Sequence, residues 1–444
     1  MFTIFLILLS IAFIILTTVR MKLHPFLSLL AASFLFGLFS GMPLEEIIQT
    51  INNGFGGTIG SIGIIIIAGI IIGTFLEKSG GAYTLANFTL KLVGPKRVHS
   101  AMAFIGYIVS IPVFADSGFI ILSPLNKALS KKAGLSLAGT AMALAMGLTA
   151  THTMVPPTPG PIAAAGIIGA DLGTVILIGL LASICALITS IFFAKRMGKR
   201  IYIDPAPRAD ETAMEQKVSQ APSAMKSFLP ILAPILLILL RSVAEYPTQP
   251  FGDGNAKAFV SFIGNPVAAL FIGMILSFLL PKRLDKEMLS TTGWVGEALM
   301  SAAIIIMITG AGGAFGKVLQ HSDIGSVIES ANLGAGLGIW LPFIIAAAFK
   351  TAQGSSTVAI ITTASIVAPV LPALGLDDNT SRALVVAAIG AGSAVVSHAN
   401  DSFFWVVTQL SNMDVNQGYR LQSAGTGFLG ISAMIFLFLL SLFI

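Results

Sequence analysis

Within the apolar stretches of this chain, few side chains can carry a charge or move a proton: Asp116, His152, Lys350, His398 and Asp401, with Arg241 nearer the end of its stretch. A charge at the centre of a bilayer costs about 2.5–3.5 kcal/mol even on a lenient insertion scale, so each of these needs a partner or a task. Two of them recur. Ala150-Thr151-His152 and Val396-Ser397-His398 each close a long apolar run and lie 246 residues apart in a chain of 444. A polar break repeated once per half points to a duplicated transporter with its site at mid-membrane. The chemistry on offer there is recognition of a small polar organic anion: helix N-termini present amide donors, and hydroxyls and histidines complete the site. The substrate-contact candidates are Ser117, Gly118, Thr151, Lys350, Gly354, Ser355, Ser356, Thr357, Ser397 and Asn400. The proton-coupling candidates are Asp116, His152, His398 and Asp401, since histidine titrates near working pH and a buried aspartate can be tuned to do so.

Each candidate also has a structural explanation. Asp116 could cap a helix by accepting from backbone amides. His152 and His398 could bridge helices as satisfied core histidines, although their equivalent places in the two halves favour function. Lys350 could snorkel to the surface, yet it lies four residues before Gly354. Prolines are common in membrane spans, but Pro156, Pro157, Pro159 and Pro161 are four in six residues, more than a kink needs. Glu77 and Lys78 read as a solvated span end.

These residues sit in a chain that is 55% hydrophobic and 10% charged, with a mean hydropathy of +0.91. That balance describes an all-α polytopic membrane protein. The stretch 2–19 is followed, not preceded, by basic residues (Arg20, Lys22), the reverse of a cleavable signal. A single cysteine, Cys185, gives neither a disulfide framework nor a metal cluster. The net charge of +5 is accounted for by the bias of basic residues toward the cytoplasmic side, so no nucleic-acid partner is implied.

Segments of about 20 apolar residues, enough to cross, fall at 2–19, 23–41, 56–76, 172–194, 227–247, 258–280, 297–318 and 421–444. The stretches 98–126 and 338–372 are too short for two spans and read as re-entrant hairpins, with tips near Asp116-Ser117-Gly118 and Gly354-Ser355-Ser356-Thr357. The stretches 134–170 and 381–416 read as broken spans, the first interrupted by prolines and the second by Ser397, His398, Asn400, Asp401 and Ser402. Each half then has five spans, one of them broken, plus one hairpin. An odd number inverts the second half, giving two inverted repeats, 1–194 and 227–444, joined by a cytoplasmic linker, 195–226. Both termini are expected outside. This threading leaves 20 of the 25 lysines and arginines on one side, with Arg241, Lys257, Lys317, Lys350 and Arg382 elsewhere. The rich side is cytoplasmic.

No paired-histidine zinc motif, no phosphate-binding glycine loop and no cytoplasmic domain able to hold a nucleotide is present, so an ATP-driven pump is not expected and no cofactor is implied. A membrane-embedded hydrolase using His152 or His398 with Asp401 and Ser397 would leave the duplication without a use. A passive anion channel and a sodium-coupled symporter remain as alternatives at this stage. Four strings, FADSGFIILSPL (Phe114 to Leu125), THTMVPPTPGP (Thr151 to Pro161), AQGSSTVA (Ala352 to Ala359) and SHANDSFFW (Ser397 to Trp405), resemble the gluconate permease (GntP) family of proton symporters over nearly the whole chain. The resemblance implies proton-coupled uptake of gluconate or a related sugar acid, hydroxy acid or amino acid across the inner membrane. It also implies a fold of the ion transporter superfamily, an elevator mechanism and a homodimer. Two positions depart from the family pattern: Lys350 stands where arginine is common, and Thr158 where gluconate-type members often have histidine. A lysine offers a point charge in place of a bidentate fork, so the geometry at a substrate carboxylate is expected to differ.

Overall fold

Inside lipid every backbone amide must find a partner within its own segment, and runs of Ile, Leu, Ala and Phe of this length do so as helices. The computed structural model describes residues 2–94, 97–205, 221–244, 251, 254–320, 338–399 and 401–443. Asn400 and residues 206–220 of the expected linker lie outside the described residues. Among those described, every regular element is helical. The α-helices of nine residues or more are, in chain order, α1 (Phe2–Ile15), α2 (Pro25–Phe39), α3 (Leu44–Lys78), α4 (Gly81–Val93), α5 (Val98–Val109), α6 (Ala115–Lys132), α7 (Leu137–Met154), α8 (Pro159–Ile168), α9 (Leu172–Arg200), α10 (Ala224–Ala244), α11 (Asn255–Ile263), α12 (Pro266–Ser277), α13 (Trp294–Gln320), α14 (Trp340–Gln353), α15 (Ser356–Val367), α16 (Asn379–Ala394), α17 (Ser402–Leu410) and α18 (Ala424–Ser441).

Helices α3, α9, α10 and α13, and the run Val415–Ser441 that ends in α18, are each long and apolar enough to cross a membrane. Their outward faces are apolar in helical register. On α9 the exposed side chains are Leu177, Leu181, Ile184, Ile188 and Phe192, and on α10 Leu229, Leu232, Leu236, Leu240 and Val243. Stripes of this kind, spaced three and four apart, would be a liability in water and are the expected surface against lipid.

Several details differ from the expectations. The span 258–280 is not straight: α11 and α12 meet at 60°. Asn265 caps α12 by accepting from the Val267 amide at 3.0 Å, and Pro266 opens the helix, so the apolar run continues while the helix restarts. The span expected at 56–76 begins at Leu44, because Asn52, Asn53 and the glycines after them stay helical where α3 lies against α13. A Cβ on Gly54 would sit 2.6 Å from the Gly313 carbonyl oxygen, so the crossing needs glycine at that point. A further helix, α4, with buried Tyr83 and Leu85, fills the stretch between α3 and α5 and was not anticipated.

Four breaks between consecutive helices fall within the stretches 98–126, 134–170, 338–372 and 381–416. The chain breaks between α5 and α6 at 110–114, around Pro112, rather than at Asp116-Ser117-Gly118, which form the first turn of α6. It breaks between α7 and α8 at 155–158, within the proline cluster. It breaks between α14 and α15 at Gly354, whose φ of 84° ends one helix, and Ser355, which caps the next. The last break, 395–401, separates α16 from α17.

Candidate functional site

A cavity of about 430 Å³ lies beside three of these breaks, those before α6, α15 and α17, and beside the last turns of α7. Its floor and walls come from the start of α6 (Phe114, Ala115, Asp116), the end of α7 (Thr149, His152), the α14–α15 junction from Lys350 to Val358, and the break after α16 (Ser397, Asp401, Ser402). Thr426 of α18 contributes a hydroxyl, and Ile304, Ile305 and Ile308 of α13 supply an apolar side.

The strongest polar feature is an ion pair. Lys350 is 3% exposed, and its Nζ donates to Asp401 Oδ2 at 2.6 Å and to the Gly354 carbonyl oxygen. Asp401 has further donors: Ser397 Oγ reaches Oδ2 at 2.5 Å, and the Phe403 amide reaches Oδ1 at 3.1 Å, which makes Asp401 the cap of α17. A buried charge held by a counter-ion and by hydrogen bonds on its remaining lone pairs is the arrangement that desolvation demands.

The loop carrying Ser397 is itself pinned. Its amide donates to Thr426 Oγ1 at 2.9 Å, and its carbonyl accepts from Ser423 Oγ at 2.5 Å. The preceding residue, Val396, has φ of 51°, a left-handed conformation that a β-branched side chain adopts only under constraint. The two bonds from α18 supply the constraint.

Asp116 is placed differently. It lies in the first turn of α6 but makes no capping bond to that helix, contrary to the structural explanation for it. Its Oδ2 accepts from Ser402 Oγ at a long 3.4 Å, and its Oδ1 is buried with no partner among the described residues. His152 presents a buried Nδ1, also without a partner, and its ring centre lies 5.8 Å from that of Phe114. At the far wall, Ser355 Oγ accepts from the Val358 amide at 3.3 Å, which leaves the amides of Ser356 and Thr357 as the open donors of the first turn of α15. One cavity therefore gathers the N-terminus of α15, a lysine already paired, and two buried polar atoms with no hydrogen-bond partner among the described residues.

The model of the GntP family permeases matches residues 2–443 of this chain. The chain belongs to the GntP permease family. A gluconate permease of Pseudomonas aeruginosa is 36% identical over 95% of this chain and 94% of its own length. The D-serine transporter DsdX of Escherichia coli K12 is 34% identical, with 98% of each chain covered. Among solved structures, the Alcanivorax borkumensis YdaH transporter aligns with a TM-score of 0.62 at 16% identity, covering 90% of this chain and 89% of that one, which is a likeness of fold. This GntP permease is thus a multi-pass membrane transporter and not an enzyme.

In the permease, nine of the fourteen candidate residues line the cavity: Asp116, His152, Lys350, Gly354, Ser355, Ser356, Thr357, Ser397 and Asp401. Four lie off it, and Asn400 is outside the described residues. Ser117 does not line the cavity, and Glu77 is half-buried, not a fully solvated end. Gly118 lies against α7, where a Cβ would come within 2.6 Å of Leu148 Cδ2. Thr151 is fully buried and donates to the Tyr107 carbonyl at 2.9 Å, tying α7 to α5. His398 points to the Thr351 carbonyl with Nε2 at 2.7 Å. Thr158 likewise avoids the cavity and bonds Val155 O at 2.7 Å.

Of the lining residues that sequence reasoning missed, Thr149 had a usable signal, lying three residues before His152 on the same helical face. Thr426 and the three isoleucines had none. His398 offers a direct check: His398→Gln should leave ligand affinity within about threefold while lowering stability by about 1 kcal/mol, the worth of one hydrogen bond, in a thermal-melt and binding comparison.

Proposed function

We propose that this permease is a secondary active transporter that takes up a small hydroxylated monocarboxylate together with a proton. Gluconate, a related sugar acid, a hydroxy acid or a similar amino acid fits the description. The observation that carries the reading is the cavity itself, which joins the open amides of α15 to the orphan acceptor Asp116 Oδ1 across a space at the small end of ligand sites, roughly 300–1,000 Å³. A carboxylate suits the α15 terminus and the dipole behind it. A hydroxyl suits Asp116, which can only accept when ionised.

Charge supports proton coupling. Asp116 and Asp401 as carboxylates and Lys350 as ammonium leave the lining one negative charge in excess. An incoming anion would double that excess in a low-dielectric site, and one accompanying proton removes the addition. The relatives' substrates, gluconate in one and D-serine in the other, share a carboxylate with a neighbouring donor group.

The proposal includes the architecture of two inverted repeats, 1–194 and 227–444, with re-entrant hairpins at 98–126 and 338–372 and a cytoplasmic linker. It includes an elevator-type movement in a homodimer at the cell's inner membrane. The reading is tested with the full chain in proteoliposomes, by counterflow of labelled D-gluconate, D-glycerate, D-lactate and D-serine. Exchange of at least one hydroxylated acid is expected, and exchange of none of them would remove the substrate reading.

A further inference from the structure

We infer that Asp401 is the permease's internal stand-in for the substrate carboxylate, holding Lys350 while the site is empty and yielding it when substrate and a proton arrive together. The inference rests on the carboxylate reading of the cavity given above, and it adds the residue that makes binding conditional on a proton.

The geometry is that of an occupied carboxylate site. Asp401 Oδ2 takes the Lys350 ammonium at 2.6 Å, the cation that a ligand carboxylate would seek, and the Ser397 hydroxyl at 2.5 Å, which ties Asp401 to its own loop. Lys350 and Asp401 both line the cavity, so an acid entering it meets a cation already engaged. Two of the three ammonium donors are taken, by Asp401 and the Gly354 carbonyl, so a ligand carboxylate that takes Lys350 as its own counter-ion does so by displacing Asp401. A bare carboxylate released into a wall this buried would be left without its counter-ion, which is the costly outcome for a broken buried pair. Taking up a proton at Oδ2 avoids it. The neutral acid keeps the cap of α17 through Oδ1 and becomes able to donate through Oδ2–H.

The step balances as follows. One proton from the outer solution forms the O–H bond on Asp401, the ammonium of Lys350 exchanges one carboxylate for another, and the pair of charges in contact is unchanged. On release inward, the substrate leaves Lys350, Asp401 gives up its proton to the cytoplasmic solution, and the ion pair re-forms. Empty carriers therefore return with Lys350 satisfied and without a proton.

The charged and titratable groups facing Asp401 are Lys350 from α14, Asp116 from α6 and His152 from α7. His398 shares its loop but is turned to Thr351. Asp116 stays available to accept a ligand hydroxyl, and Asp401 is the carboxylate in contact with Lys350, so the exchange there falls to Asp401.

Ser397 separates this account from the simpler one in which it binds substrate. Its hydroxyl strengthens the hold of Asp401 on its present place, so removing it weakens the competitor. Ser397→Ala should bind D-gluconate, D-glycerate, D-lactate or D-serine, whichever the wild type binds, roughly tenfold more tightly at neutral pH. A serine that contacted substrate would give the opposite sign. Calorimetry of the full chain in two buffers of different ionisation enthalpy supplies the second readout. Wild type should take up one proton per ligand bound, and Asp401→Asn, which keeps an acceptor for the Phe403 amide, should take up none. Weaker binding by Ser397→Ala, absence of proton uptake by wild type, or undiminished uptake by Asp401→Asn overturns the inference while leaving the carboxylate reading intact. If Asp401→Asn does not fold, the Ser397→Ala affinity and the wild-type proton count still decide. Failure of the wild type to bind any of the four acids overturns the carboxylate reading and the inference with it.

Discussion

Lys350→Met is expected to abolish uptake. The ammonium is the one cation among the described residues that line the cavity, and the proposed substrate carries the complementary charge. Truncating one member of a buried charge pair costs about 2–5 kcal/mol of binding, thirtyfold to several thousandfold in affinity. The substitution also strands Asp401, whose loss of its partner in a buried setting costs roughly 3–5 kcal/mol of stability. A folding defect and a binding defect would look alike in an uptake assay. The double variant Lys350→Met/Asp401→Asn removes the stranded charge, so its melting temperature should recover most of the loss. Its ligand affinity should not recover. If the double variant regains both, Lys350 serves only to neutralise Asp401, and the carboxylate must be held by the α15 terminus alone.

Asp116→Asn should erase the preference for hydroxylated acids. Asp116 Oδ1 is buried without a partner among the described residues, and a site built around an unpaired acceptor rejects a ligand that lacks the matching donor. Wild type is expected to bind a hydroxylated acid on the order of a hundredfold or more tighter than its deoxy analogue, as with D-lactate against propionate. In the asparagine variant, where the amide can be turned to donate as well as accept, the two should come within about tenfold. The measurement is competition against a labelled substrate in counterflow. A variant that keeps its discrimination but can no longer concentrate substrate would move the proton from Asp401 to Asp116.

Much of the site was legible because its residues break local rules. Four prolines around Thr158, and Ser397 to Ser402 at the end of a long apolar run, have no place in an unbroken membrane helix, and the chain does break there. Gly354-Ser355 carries its own explanation as a left-handed terminator followed by a cap, and the α14–α15 junction falls on it. The first tip was misplaced because Ser110 and Pro112 are an equally good break and the conspicuous Asp116 drew the reading four residues too far. The bend between α11 and α12 had a signal, Asn265-Pro266, hidden by the apolar run that continues across it.

What could not be read was pairing. Lys350 and Asp401 are 51 residues apart on different elements, and nothing local marks them as partners. The matched positions of His152 and His398 suggested matched roles, yet side-chain direction separates them, one lining the cavity and one bonded to a carbonyl behind it. The apolar wall of α13 was invisible for a plainer reason. In a chain this rich in isoleucine, Ile304, Ile305 and Ile308 look like any lipid-facing turn until the fold sets them along the cavity.

The claim that stands above the others is that a proton gradient drives uptake of a small hydroxylated acid. With the full chain in proteoliposomes, a more acidic exterior should accelerate entry of the acid identified by counterflow and carry it above its outside concentration, while an inward sodium gradient at equal pH on both sides should do neither. Acceleration by sodium alone, or mere equilibration under both gradients, would contradict the account.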